Sequence, residues 1–108
     1  MGKDLYDRYS WAKDTFRLAD EILGFSLSSL CFEGPIQRLT ATAFVQPAIL
    51  TVSYIYFQAV MKNADGQAHV SAAAGHSLGE YSALTAAGAI TFSDAIALVH
   101  KRGRYMQE

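Results

Sequence analysis

Apolar positions along this chain recur with a helical rhythm in its first and last stretches, with longer apolar segments and one short uncharged run between them. In the first stretch Trp11, Leu18 and Ile22 return at helical spacing, while Asp14, Arg17 and Asp20 or Glu21 fall on the wetter side. Ser10 is placed to cap this helix and Gly24 to end it, which predicts a helix over Trp11 to Leu23. Phe25 to Phe32 is a short apolar piece closed by the breaker pair Gly34-Pro35. No charged residue lies between Arg38 and Lys62. Thr40 to Thr42 offers caps for a helix there, with Pro47 in its first turn and apolar residues on all sides, as expected of an element sandwiched between others. Asn63 to Gln67 reads as a turn, and His69 to Ala74 as a buried strand running directly into Gly75. After a further alanine-rich helix, Gly88 breaks the chain and Thr91-Phe92-Ser93-Asp94 resembles a capping box opening the last helix. The prediction is an α/β fold, mostly helical, with one buried strand and neither repeats nor an internal boundary.

Composition narrows the functional classes. With 51% hydrophobic and 18% charged residues the chain is globular rather than disordered. A net charge of −1 gives no basic footprint for nucleic acid or an anionic membrane. Ile49 to Met61 is nearly all apolar but shorter than the ~20 residues of a membrane span, and Gln58 and Ser53 interrupt it. The opening MGKDLYDRYS is polar and charged, unlike a secretory leader. Cys31 has no partner for an internal disulfide, and the three histidines are scattered, so the expectation is a cytoplasmic protein without metal.

The strand, turn and helix around Gly75-His76-Ser77-Leu78-Gly79 carry the chemistry. G-x-S-x-G between a strand and a helix is the setting of a nucleophile elbow: small flanking residues let backbone elements approach, and the serine is pushed out at the strand end. Ser77 is therefore the candidate nucleophile. The helix N-terminus behind it supplies N–H groups and a positive dipole end to a developing oxyanion. The bland reading, Ser77 as a simple helix cap, ranks second. His76 diverges from Ser77 on a tight elbow, Glu80 complements the helix dipole, and Tyr54, Tyr56 and Phe57 are core residues.

At ~100° per residue the last helix gathers Ala95, Leu98, Val99, Tyr105 and Met106 on one side, with Arg102 in their middle. Lys101, Arg104 and His100 point elsewhere. A guanidinium on a core-facing stripe requires an anion or another partner. A bidentate substrate carboxylate fits its planar fork, with an internal salt bridge as the alternative.

The strings GHSLGEYSAL and AAGAITFSDAIALVHKRGRYMQE resemble the acyltransferases that move malonyl groups from coenzyme A to acyl carrier protein, and related polyketide synthase domains. TATAFVQPAILTVS and the N-terminal helices extend the resemblance over the whole chain. It implies the large, α/β-hydrolase-like subdomain of an acyltransferase. It also implies that Ser77 carries the acyl ester and that the Leu78 backbone N–H serves the oxyanion. Arg102 would hold the malonate carboxylate, with Gln46 close to the site. Leucine after the serine accords with malonyl rather than methylmalonyl use. The coenzyme A thioester is substrate, acyl carrier protein the acceptor, and no cofactor is implied.

The family also has a first strand with a glycine- and glutamine-rich turn, a catalytic histidine and a small second subdomain, none of which matches residues 1–108. The expectation is thus a fragment of one acyltransferase domain. No residue in it is placed to act as general base: His69 lies far along the strand and His100 faces solvent if Arg102 faces the site. The fragment alone is expected to be inactive. Two other classes stay open, a serine esterase or thioesterase with the same elbow, and a non-catalytic piece.

Overall fold

Tyr9, in an extended conformation, separates the first two helices, α1 (Lys3–Arg8) and α2 (Ser10–Leu23). The computed structural model describes residues 2–34, 37, 42–63 and 78–107. Ser10 is already inside α2 and makes no cap, because Tyr9 supplies the non-helical backbone at that boundary. Gly24 ends the helix as expected, at φ 79°, a left-handed conformation that glycine adopts without Cβ strain. The buried stripe of α2 is Ala12, Phe16, Ala19 and Leu23, while Leu18 is 38% exposed. The stripe is thus rotated from the one expected, because alanines at 12 and 19 let neighbouring helices approach where bulkier side chains would hold them off.

Phe25 to Phe32 is mostly helical: α3 (Leu27–Glu33) begins there, with Ser26 as N-cap accepting from the Ser29 N–H. Asp20 completes the cap from α2. Its Oδ1 accepts from the Leu27 and Ser28 N–H groups at 2.7 and 3.2 Å, and its Oδ2 from Ser28 Oγ at 2.9 Å. A carboxylate at a helix N-terminus satisfies otherwise unpaired donors and meets the positive dipole end. Asp20 is half-buried rather than on the wet side, and it fixes α3 against α2. Asp20→Ala is expected to cost about 1–2 kcal/mol, read as a lower urea midpoint at unchanged slope.

The Phe16 ring packs against Tyr6 at 5.8 Å and Phe32 at 5.2 Å, so α1, α2 and α3 share one aromatic cluster. Cys31 is buried in the same core, and that burial pushes its thiol pKa up to about 11.

Helix α4 (Thr42–Asn63) is the longest described, and it packs most extensively against α6 (Phe92–Gln107), then against α5 (Leu78–Ala86). Pro47 sits beyond its first turn, so its missing N–H interrupts the helical ladder; Thr51 Oγ1 donates to the Pro47 carbonyl at 2.8 Å. Pro47, Ala48, Leu50, Thr51, Ile55 and Ala59 are buried. Ile49, Tyr56 and Val60 are exposed, so α4 is not covered on every side and Tyr56 is not a core residue. By length and composition alone residues 44–62 would suffice to cross a bilayer, so the run is longer than its apolar part suggested. In the fold this helix packs against α2, α3, α5 and α6, as a core helix does.

Helix α5 ends at a turn through Gly88, also at φ 79°. Thr91 Oγ1 then accepts from the Asp94 N–H at 3.1 Å, the expected cap of α6. Tyr54 stacks on Phe92 at 4.8 Å and ties the start of α6 to α4. The expected turn at 63–67, strand at 69–74 and elbow residues Gly75, His76 and Ser77 fall wholly or largely outside the described residues, which contain no strand.

Candidate functional site

Packing of α4 against α6 depends on small residues. The buried face of α6 is Phe92, Ala95, Ile96, Val99 and Gly103. Leu98, Tyr105 and Met106, expected on that face, are 48%, 71% and 59% exposed. Arg102 therefore sits at the border of the buried stripe, half-buried, rather than in its middle. Ala95 and Gly103 lie among Phe92, Ile96 and Val99 on this face, and their small size lets neighbouring backbone approach closely.

At that border α6 meets Gln46 of α4. Gln46 is only 5% exposed, and its Oε1 accepts from Arg102 Nη1 at 2.6 Å. Its Nε2 donates to Met106 Sδ at 3.1 Å. Arg102 and Met106 are four residues apart on α6, so they project on the same side one turn apart and hold the Gln46 amide between them. The guanidinium carbon lies 5.7 Å from the centre of the Tyr81 ring on α5, a cation–π distance. Among the described residues no buried side-chain nitrogen or oxygen is left without a partner.

Two of the four residues singled out from the sequence, Gln46 and Arg102, are thus in direct contact across a separation of 56 residues. Leu78 opens α5, half-buried against the core, and the N–H groups of a first helical turn have no intrahelical partner. Ser77 immediately precedes it, outside the described residues. The close approach expected of Gly75 and Gly79 involves that same segment; a Cβ at Gly79 would meet no described atom within 4 Å.

Tyr81 and Met106 were not expected at the site. The available signal was spacing: Met106 follows Arg102 by one helical turn, and Tyr81 follows Ser77 by four positions in the sequence. His100, expected in solvent, is half-buried with its ring 5.6 Å from Phe25. Burial lowers its pKa, with Arg104 adding to the effect, so the imidazole is neutral at neutral pH. It lies ~160° around α6 from Arg102, and that direction points to Phe25 rather than to water. A cleft of about 180 Å³ lined by Phe25, Ser26, Ser29, Leu30 and Gly34 shares no residue with the Arg102 cluster.

This geometry can be set beside known proteins. The family model described as the acyl transferase domain matches residues 1–108. The malonyl CoA-acyl carrier protein transacylase of Bacillus subtilis (strain 168) is 49% identical over 108 residues, which are 100% of this chain and 33% of that protein. The crystal structure of an acyl carrier protein S-malonyltransferase from Vibrio cholerae superposes with a TM-score of 0.90 at 44% identity, over 100% of this chain and 35% of that one. A malonyl-transacylase in complex with its type II polyketide synthase acyl-carrier protein gives a TM-score of 0.89 at 42% identity, over 99% and 34%. The chain spans about a third of the length of these relatives. Agreement over its whole length, in sequence and in fold, decides its kinship: the chain belongs to the acyl transferase domain family.

Proposed function

We propose that the protein carries the nucleophile segment of a malonyl-CoA:acyl carrier protein transacylase, acting in the cytoplasm in fatty acid or polyketide biosynthesis. The observation that carries this reading is the Arg102–Gln46 contact beside α5, the helix that starts at the residue after Ser77. Ser77 Oγ attacks the thioester carbonyl of malonyl-CoA as a base removes its proton. The Leu78 N–H stabilises the oxyanion, and the carbon–sulfur bond then breaks to release coenzyme A as its thiol. The phosphopantetheine thiol of the carrier protein next attacks the Ser77 ester, and the serine oxygen regains a proton. Throughout, Arg102 holds the malonyl carboxylate. A guanidinium presents its N–H donors in a planar fork that matches the two oxygens of a carboxylate. The half-buried setting strengthens a charge-assisted pair relative to water.

The competing reading is an acyl hydrolase with the same elbow. A cation at the site favours transfer of a carboxylate-bearing acyl group over hydrolysis of plain acyl esters. Radiolabelled malonyl-CoA offered with and without holo carrier protein decides between them. The expected result is label on the carrier thiol, with ping-pong kinetics and little free malonate. Malonate released as fast without the carrier would establish the hydrolase.

A further inference from the structure

A glutamine amide has two ends of nearly the same shape and opposite chemistry, and a half-turn of its last torsion exchanges acceptor for donor. At Gln46 both partners are one-way. The Arg102 guanidinium has only donors, so it requires Oε1; the Met106 thioether has no proton to give, so it requires Nε2. A flipped amide would set donor against donor on one side and acceptor against acceptor on the other. Gln46 is 5% exposed, so bulk water does not offer either end a substitute. Both partners therefore favour the same orientation, and the sulfur reinforces on one side the preference that the guanidinium sets on the other.

We propose that Met106 is a positioning residue for Arg102, acting through Gln46: its sulfur anchors the far end of the amide whose carbonyl end holds the guanidinium. This rests on the reading that Arg102 receives the substrate carboxylate. Gln46 then holds one edge of the guanidinium and Tyr81 lies against its face. Two holds in different planes restrict the fork's rotation, and a fork fixed in advance loses less entropy on meeting a planar carboxylate. Met106 suits the role because an unbranched thioether adapts its shape to the gap, and its 59% exposure leaves room for other side chains there.

The test compares Met106→Leu, which keeps the bulk and removes the acceptor, with Met106→Gln, which restores an acceptor oxygen at similar reach. The preference for malonyl-CoA over acetyl-CoA, as a ratio of kcat/KM values, is expected to fall about 2- to 10-fold in Met106→Leu. The loss should appear in KM for malonyl-CoA, with Tm unchanged, and Met106→Gln should recover it. Exchange of the Gln46 side-chain amide protons, followed by NMR, should be slow in the wild type and in Met106→Gln and faster in Met106→Leu. A wild-type ratio in Met106→Leu, or an equal loss in both variants, would overturn the proposal. Arg102→Ala separates the two layers. If it leaves the malonyl preference intact, the carboxylate reading itself fails. If it abolishes the preference while Met106→Leu changes nothing, only the positioning role fails.

Discussion

In the intact protein, Ser77→Ala is expected to abolish covalent loading by malonyl-CoA and to lower malonyl transfer by on the order of 10⁴-fold or more, as removal of a nucleophile does in other acyl-transfer enzymes. The reasoning runs through the covalent step. Without the ester, the carrier thiol would have to attack the coenzyme A thioester directly, and donor and acceptor would have to occupy the site together. Intact-mass measurement after mixing with malonyl-CoA gives the direct reading: a malonyl increment on the wild type and none on the variant. An increment that persists in Ser77→Ala would move the nucleophile elsewhere and remove the basis of the proposed mechanism. Serine to alanine deletes one oxygen, so loss of fold is an unsuitable explanation for a null result, and circular dichroism checks that directly.

Arg102→Ala is expected to remove about 2–4 kcal/mol of discrimination between malonyl and acetyl thioesters, or roughly 30- to 1,000-fold in the ratio of kcat/KM values. The effect is one of selectivity. A carboxylate entering a half-buried pocket without its cation pays its desolvation unaided, whereas an acetyl group has no charge to desolvate. Acetyl-CoA should therefore become the comparatively better donor. Arg102→Lys retains the charge but not the fork, and an intermediate ratio is expected because Lys offers no bidentate geometry. A malonyl preference that survives in Arg102→Ala would make Arg102 a structural residue, joined to Gln46 for packing alone.

The elements of the fold were legible where local chemistry decides. Gly24 and Gly88 end their helices and Thr91 caps the last one, because a left-handed backbone and a capping hydroxyl act within a few residues. The buried faces were less legible. In α2 and α6 the larger apolar residues dominated the expected stripe; Ala95 and Val99 are buried as expected, yet Ala12, Ala19 and Gly103 also lie inward while Leu18, Leu98 and Tyr105 are exposed. Helix–helix distance is a tertiary property, and small residues set it without standing out in a periodic pattern. Asp20 likewise reads as a surface charge until α3 folds back onto it. At the site, the resemblance placed Gln46 and Arg102 near one another, but their direct pairing was not legible, since no local rule links residues 56 positions apart. Met106 and Tyr81 were hidden because a methionine and a tyrosine on helices are ordinarily packing residues.

The Gln46–Arg102 contact also has a timetable. At ~5–20 residues per second of synthesis, Arg102 is added about 3–11 s after Gln46. Helix α4 can form within microseconds of its own completion. Its polar clasp then waits several seconds for a partner, alongside the apolar surface that α6 later covers. Closing a loop of this length costs roughly 3–4 kcal/mol in chain entropy beyond a constant, so the pocket is absent from any intermediate that has only local helices. During translation the nascent chain thus passes through an interval in which the face of α4 that α6 later covers is unprotected, and a holdase that recognises apolar helices would have its target there.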